Sequence, residues 1–209
     1  MALACIFLAA GAGSRLGGGK PLALLAGRPL VRWAAEVALA ADFDHLLVVG
    51  PPGERGEAVR AALSGLPVQF VTQPQPELGL LASFQVGLQA LPEGLEGTAL
   101  ALADMPFVTL QTYQTLLGLH AQTRSPLVLT RYGGEVSAPP HLFRRDLFPE
   151  LLALPAADRG PREVVRRYRG EAAISERPTE EGRDIDTPAD LARAQQEWAS
   201  GHSTRSDKG

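Results

Sequence analysis

The most constraining feature of the sequence is a regular alternation between apolar runs of strand length and amphipathic segments of helix length. This alternation is typical of βαβ units, in which helices cover both faces of a parallel sheet. The predicted strands are Ala4–Ala10, His45–Val49, Val68–Thr72, Thr98–Ala103 and Pro126–Thr130. The predicted helices are Pro29–Ala41, Glu54–Leu63, Gly79–Ala90 and Leu110–Thr123. We therefore expect a three-layer, doubly wound α/β fold with a mostly parallel sheet.

The length of the chain sets the number of domains. With 209 residues and 45% apolar content, the chain suits one domain with a sizeable core. We predict that this domain spans residues 1–199 and that the polar residues 200–209 form a disordered tail. The alternation loosens over residues 131–169, which we interpret as a substrate-facing insertion with helices at Arg145–Leu152 and Pro161–Tyr168.

The last helix of the domain carries clear start signals. Thr187 is the expected N-cap, Pro188 suits the first helical position, and Asp190 is the acidic third residue. The sequence therefore predicts a closing helix that starts at Pro188 and continues to about Trp198.

Charge and cysteine content narrow the class of protein. A net charge of -3 and a pI near 5.8 argue against a general nucleic-acid or membrane-surface binder, which needs a basic face. The one cysteine, Cys5, precludes a disulfide framework and indicates a reducing compartment. No run reaches the roughly 18 apolar residues of a membrane helix, and the apolar start lacks a basic leader, so we expect a cytoplasmic protein.

A glycine-rich loop follows the first predicted strand. It runs from Gly11 to Lys20, and Lys20 and Lys208 are the only lysines of the sequence. Exposed backbone N–H groups in such a loop bind anions, above all phosphates. The dinucleotide fingerprint fails because Leu16 stands at its third glycine, and the P-loop pattern fails because it would place Ser14 at a glycine and Pro21 at the metal-binding hydroxyl.

The loop pattern L-A-A-G-x-G-x-R-x-G-x-x-K resembles the nucleotidyltransferase family that makes the dinucleotide forms of the molybdenum cofactor. Ala10 is similar to the cytidylyl members, whereas the guanylyl members have glycine there. The resemblance continues in Leu102–Pro106, in Asp184–Pro188 and, with substitutions, in Asp158–Arg162. It implies a single-domain Rossmann-like nucleotidyltransferase fold.

The implied reaction is the transfer of CMP from CTP to the terminal phosphate of molybdopterin. The resemblance assigns Lys20 to the α-phosphate and Arg15 to the β- and γ-phosphates, and it makes these two residues and Asp104 catalytic. The nucleotide-binding residues would be Leu8, Ala9, Ala10, Gly11, Ala12, Gly13, Ser14, Arg15, Lys20, Gln73, Gly79 and Ser83. Mg²⁺ would be held by Asp104, Asp186 and Asp184, and the acceptor by Asp158 and Arg162.

Several alternatives remain open at this stage. The nucleotide could be GTP, and the acceptor could be another phosphorylated molecule such as a sugar phosphate. A non-catalytic protein that carries the cofactor to a molybdoenzyme is the alternative from another class. Ser83 could serve packing instead of the base, Asp184 could merely favour the helix start, and Asp158 and Arg162 could form an exposed ion pair.

Overall fold

The computed structural model describes residues 2–11, 19–134, 138–156 and 160–203. The strands in these ranges are β1 (Leu3–Leu8), β2 (Leu24–Leu25), β3 (Arg28–Pro29), β4 (His45–Gly50), β5 (Gln69–Thr72), β6 (Gly97–Leu102), β7 (Leu127–Tyr132), β8 (His141–Arg144) and β9 (Ala173–Arg177). The helices are α1 (Leu30–Leu39), α2 (Gly53–Ala62), α3 (Leu80–Gln89), α4 (Leu110–Thr123), α5 (Phe148–Ala153), α6 (Arg162–Tyr168) and α7 (Pro188–Ser203).

The described part of the chain forms a seven-stranded central sheet in the order β5-β4-β1-β6-β8-β7-β9. Its pairings are parallel except those of β8, which runs antiparallel to both of its neighbours. Strands β2 and β3 form a separate two-stranded ribbon. The predicted doubly wound, mostly parallel fold is confirmed.

Strand β1 lies inside the sheet between β4 and β6, and every one of its residues is buried. Because side chains alternate across a strand, Cys5 and Phe7 join the core under α1, α2 and α4, whereas Ile6 and Leu8 join the core under α3, α5 and α6. Helices therefore cover both faces of the sheet. This is the three-layer arrangement that near-continuous apolar strands require.

The carboxyl ends of the parallel strands lie at one edge of the sheet. Just beyond these ends, the Ala9 N–H donates to the Val49 carbonyl at 2.8 Å, and the Ala103 N–H donates to the Leu8 carbonyl at 3.0 Å. These bonds hold the start of the glycine loop beside the segment that follows β6. Ligand sites of open α/β sheets occur at this edge.

Two strands of the central sheet escaped the sequence prediction. Strand β8 lies inside the segment 131–169 and is inserted between β6 and β7, so this segment supplies part of the central sheet as well as α5 and α6. Strand β9 pairs with β7 at the sheet edge. Both strands are short and are followed or interrupted by charged residues, so their apolar signal is weak.

The end of the chain is helical for longer than predicted. Thr187 Oγ1 accepts a hydrogen bond from the Asp190 N–H at 3.2 Å, and Asp190 Oδ2 accepts one from the Thr187 N–H at 2.9 Å, which is the expected capping box. Helix α7 then continues to Ser203, so residues 200–203 of the predicted tail are helical, and 204–209 lie outside the described residues. In the described parts, no helix is both long enough and apolar enough to span a bilayer.

Candidate functional site

A cleft of about 410 Å³ opens where β1 and β6 end and α3 begins. Residues from four separate parts of the chain line it: Leu8, Ala9, Gly11, Lys20, Pro21, Pro76, Glu77, Gly79, Leu80, Ser83, Leu102, Ala103 and Asp104. Its volume is within the range of small-molecule sites. The cleft brings together seven of the residues that the sequence singled out.

Lys20 lies at the centre of the charged part of this cleft. Its Nζ is 2.5 Å from Asp104 Oδ2 and also donates a hydrogen bond to Asp186 Oδ1. The local sequence explains how these groups meet: Lys20 starts a short 3₁₀ turn after Gly19, Asp104 follows β6, and Asp186 precedes the cap of α7. The Lys20 side chain is only 13% exposed, so these contacts are partly shielded from water.

The two carboxylates change the acidity of the lysine. Burial alone would lower the pKa of Lys20, but the charges and hydrogen bonds of Asp104 and Asp186 outweigh it and raise the pKa. Conversely, partial burial and the negative charges of Asp186 and Asp104 raise the pKa of Asp184. Lys20 is therefore held as an ammonium ion beside three acidic side chains.

The backbone ties the acidic groups together. The Ile185 N–H donates to the Asp104 carbonyl at 3.0 Å, and the Ile185 side chain is buried at 1% exposure. This contact docks the segment before α7 onto the turn after β6. It places Asp186 beside Lys20, whereas the neighbouring residue, Asp184, is the more exposed of the two.

The donor set suits a hard divalent cation. Asp104 Oδ1 is buried and has no hydrogen-bond partner among the described residues, so a carboxylate oxygen points into the protein without a donor. In those same residues, no group of three or more His, Cys, Asp or Glu side chains is arranged to hold a metal by itself. Mg²⁺ in nucleotide sites needs only one or two carboxylates, because substrate phosphates and water supply its other ligands. Asp104 and Asp186 fit that requirement.

Gln73 and Ser83 bond to one another instead of standing free in the cleft. Gln73 Nε2 is 3.5 Å from Ser83 Oγ, Ser83 Oγ donates to the Gly79 carbonyl at 3.1 Å, and Gln73 Oε1 accepts from the Gln75 N–H at 3.1 Å. Both side chains are buried. This network fixes the turn before α3, where Gly79 has φ +92°, a conformation that favours glycine.

The remaining predicted residues divide into three groups. Ala10 is buried at the start of the glycine loop. Ala12, Gly13, Ser14, Arg15 and Asp158 lie outside the described residues, so the roles predicted for them stay predictions. Arg162 lines a second cavity of about 300 Å³, together with Leu81, Leu154, Pro155, Gly160, Glu163 and Arg166.

Neighbouring residues at the start of α3 line the two cavities. Leu80 lines the main cleft and Leu81 lines the second cavity. Gly160, with φ +62°, approaches so closely that a Cβ there would lie 2.9 Å from Leu80 Cδ2. The segment that carries Arg162 is thus packed against the wall of the main cleft.

Sequence reasoning missed several lining residues. Pro76 and Glu77 belong to a 3₁₀ turn that follows β5, and Glu77 is the one acidic lining residue besides Asp104 among those described. Their position after a strand end was the available signal. Arg55, at the start of α2, was also missed; its Nη2 lies 3.5 Å from the Gly11 carbonyl, which only the folded chain reveals.

Comparisons with known proteins identify sequence and structural relatives of this chain. The family model of the MobA-like NTP transferase domain matches residues 5–173. The bifunctional protein GlmU of Cutibacterium acnes is 33% identical over 139 residues, which are 65% of this chain and 32% of that protein. The chain thus spans about a third of the length of this curated relative.

Solved structures share the fold over nearly the whole chain. The crystal structure of Rv0371c from Mycobacterium tuberculosis H37Rv superposes with a TM-score of 0.83 and 27% identity, covering 94% of this chain and 98% of that one. Its complex with manganese has a TM-score of 0.78 and 24% identity, covering 94% and 99%. Molybdopterin-guanine dinucleotide biosynthesis protein A from Archaeoglobus fulgidus has a TM-score of 0.68 and 18% identity, covering 94% and 99%.

Proposed function

The chain belongs to the MobA-like NTP transferase domain family, and on this premise we propose that it transfers CMP from CTP to the terminal phosphate of molybdopterin. It is a nucleotidyltransferase that uses a nucleoside triphosphate. In the proposed reaction, an acceptor phosphate oxygen forms a bond to the α-phosphorus of CTP. The bond from that phosphorus to the bridging oxygen breaks, and pyrophosphate leaves with the electron pair.

The observation that carries this proposal is the position of the Lys20 ammonium beside Asp104 on the wall of the cleft. Two anions must approach each other in the reaction, so charge neutralisation and alignment are the main tasks of the protein. An ammonium 13% exposed acts in a medium of lower polarity than water, where its attraction for a phosphate oxygen is stronger. Lys20 would bind the α-phosphate, as its place after the glycine loop suggests.

The site needs no general base. A phosphate monoester has a second pKa of about 6 and is already largely ionised at neutral pH. In agreement with this, no histidine is among the described residues that line the cleft. His45 is exposed at the start of β4, and His141 is buried in β8.

Asp104 and Asp186 would hold a divalent cation, for which Mg²⁺ is our proposal. Such an ion neutralises charge on the triphosphate and orients it when bound. The manganese complex of Rv0371c supports a divalent cation in this fold. Two carboxylates of this chain would bind the ion, and the Lys20 ammonium would provide a second positive charge for the triphosphate.

Ala10 supports CTP over GTP. Its methyl group is buried where the loop leaves β1, between residues that line the cleft on either side, Ala9 and Gly11. A substitution at this point would alter the loop backbone that faces the nucleotide. The cytidylyl pattern of the loop is therefore the basis for choosing CTP.

The second cavity is our candidate for part of the acceptor site. Arg162 and Arg166 stand four residues apart on α6 and line a cavity that is also lined by the apolar residues Leu81, Leu154 and Pro155. Guanidinium groups bind phosphates in a planar, bidentate manner. A flat heterocycle with a phosphate group would match this combination.

Pyrophosphate release by the purified protein tests the proposal. The protein is incubated with Mg²⁺ and intact molybdopterin, with CTP and GTP in parallel, and the product is identified by its mass. Release with CTP alone and a cytosine dinucleotide product is the expected result. Release with GTP alone would make it a guanylyltransferase, and no release with either nucleotide would favour another phosphorylated acceptor or a carrier.

A further inference from the structure

Two of the carboxylates near Lys20 stand on one short connection between β9 and α7. We call residues 179–187 the acidic strap; it contains Asp184 and Asp186, and Asp186 contacts Lys20. The strap begins with a 3₁₀ turn, Thr179–Gly182, and has no strand partner. Its position therefore depends on isolated backbone bonds, such as that of Ile185 to Asp104, and on side-chain contacts among the described residues.

Glu181 is the most heavily bonded side chain of the strap. Its Oε1 accepts from Arg177 Nη2 at 2.7 Å, and its Oε2 accepts from Arg177 Nε at 3.2 Å and from Thr109 Oγ1 at 3.1 Å. Thr112 Oγ1 also donates to Oε2. The Glu181 and Arg177 side chains are only 13% and 15% exposed, so this ion pair is shielded from water.

These contacts join the strap to two rigid elements. Arg177 is the last residue of β9, and Thr109 is the N-cap of α4. A carboxylate at a helix N-terminus is favoured by the helix dipole as well as by the threonine hydroxyls. Glu181 thus connects the end of β9 to the start of α4.

Other contacts hold the rest of the strap. A Cβ at Gly182 would collide with the ring of Tyr132, so the backbone lies flat on that ring. Arg183 stacks over Phe107 at 4.4 Å. Ile185 is docked through its N–H bond to Asp104. The two aspartates alternate with these docked residues, so a shift of the upstream end would be passed to both carboxylates.

We propose that Glu181 is a positioning residue: with Arg177, it fixes the upstream end of the acidic strap so that Asp184 and Asp186 stand opposite Asp104 and Lys20. The inference rests on the proposed function, because it assigns a purpose to the carboxylates of that site. Glu181 bonds to Arg177, Thr109 and Thr112 and not to Lys20 or Asp104, so it acts through the strap backbone.

Amide hydrogen exchange measures this role without reference to catalysis. The readout is the protection of the Ile185 amide, whose bond to Asp104 reports docking of the strap. Glu181→Gln removes the charge but keeps the shape, and we expect the protection of Ile185 to fall by about ten-fold, since a charged hydrogen bond of this kind contributes about that factor. Arg177→Lys, a milder change, should lower it less.

The matched control is Glu150→Gln. Glu150 is also a partly buried carboxylate, 22% exposed, paired with Arg167 at 2.5 Å and bonded by Tyr168 Oη at 3.1 Å. It lies on α5, away from the strap. Its loss should cost similar stability but leave the Ile185 amide protected. Equal hydrogen exchange rates of the Ile185 amide in the wild type, in Glu181→Gln and in Arg177→Lys would overturn the proposal.

Manganese binding provides the second readout. Mn²⁺ affinity is measured by electron paramagnetic resonance in the presence of CTP and without acceptor, and Glu181→Gln should weaken it by about ten-fold while Glu150→Gln should not. Faster exchange of the Ile185 amide in Glu181→Gln together with an unchanged Mn²⁺ affinity would contradict the positioning role. Failure of the wild type itself to bind Mn²⁺ would contradict the proposed metal site instead, and the exchange experiment would still decide whether Glu181 docks the strap.

Discussion

Lys20 Nζ lies 2.5 Å from Asp104 Oδ2, at the edge of the sheet where β1 and β6 end. The first residue closes the glycine loop after β1, and the second follows β6. Parallel pairing of these two strands brings both connections to the same edge, so the ion pair is a direct consequence of the strand order. This contact leads to predictions for catalysis and for metal binding.

Replacement of Lys20 should abolish most turnover and leave the fold intact. Lys20→Met removes the ammonium that would meet the α-phosphate, and loss of one such electrostatic contact typically costs about 10²- to 10³-fold in kcat. The measurement is pyrophosphate release, with circular dichroism to confirm folding. Lys208→Met, which changes the only other lysine, is the matched control and should retain full activity. Turnover by Lys20→Met at the wild-type rate would contradict the role of Lys20.

The same substitution should strengthen metal binding when no nucleotide is present. The Lys20 ammonium bonds to both carboxylates that we propose for the cation, Asp104 and Asp186, and a second positive charge at that point is repelled. Lys20→Met should therefore bind Mn²⁺ about ten-fold more tightly than the wild type, which corresponds to about 1.4 kcal/mol. Electron paramagnetic resonance of free Mn²⁺ measures this. A weaker affinity in the variant would show that Lys20 does not compete with the ion.

The two aspartates of the acidic strap should differ in importance. Asp186 contacts Lys20, whereas Asp184 is the more exposed of the two, so Asp186→Asn should lower kcat by about ten-fold or more and Asp184→Asn by less. Parallel kinetic assays of the two variants decide the order. A larger loss in Asp184→Asn would make Asp184 the second metal ligand.

More of the fold than of the candidate site could be predicted from the sequence. The long apolar strands and their helices were predicted because periodicity extends over many residues, as in β1 and α3. Lys20 and Asp104 were expected at the same edge of the sheet because they follow strands whose carboxyl ends meet, and the structure brings them together. The sequence could not decide which of Asp184 and Asp186 lies nearer to Lys20, because two residues that are two apart in an extended segment point to the same side. The burial of Ile185 between them, which fixes the backbone, is visible only in the folded chain.

The contacts of Glu181 and Glu77 could not be predicted. Glu181 meets Thr109 and Thr112, which are far away in sequence, and no local pattern pairs them. Glu77 lies in a 3₁₀ turn after β5, and the position after a strand end indicated this segment without showing which of its residues line the cleft. Strand β8 was missed for a similar reason: its four residues are defined by the neighbours that it pairs with and not by a repeating pattern.

Two helix glycines should respond to alanine in opposite directions. A Cβ at Gly87 in α3 would lie 2.6 Å from Ile6 Cγ2 in β1, and both elements are fully packed there. Gly87→Ala should therefore lower the free energy of unfolding by about 1 to 3 kcal/mol. Gly118 in α4 has open space, so Gly118→Ala should raise this free energy by up to about 1 kcal/mol. Urea unfolding at neutral pH measures both values, and a stabilising Gly87→Ala would mean that α3 moves away from β1 at no cost.

The buried histidine of β8 should make the fold sensitive to acid. His141 is buried, and its Nδ1 accepts a hydrogen bond from the Thr130 N–H at 3.3 Å, which requires that Nδ1 carry no proton. Burial lowers the pKa of His141 from 6.5 to about 4. Because the folded pKa is below the unfolded one, the unfolded chain takes up the proton first, and this part of the stability is complete above pH 6.5 and lost as the pH falls towards 4.

The size of the acid effect follows from that shift. At 1.36 kcal/mol per pKa unit, His141 should account for a loss of about 3 kcal/mol between these pH values. The test compares the free energy of unfolding at pH 7.5 and pH 4.5 for the wild type and for His141→Asn, whose side-chain oxygen can accept a hydrogen bond but does not titrate. Burial also lowers the pKa of His120, so the wild-type loss contains both histidines, and the difference between the two proteins isolates His141. An equal acid loss in the two proteins would show that His141 is protonated in the folded state without cost.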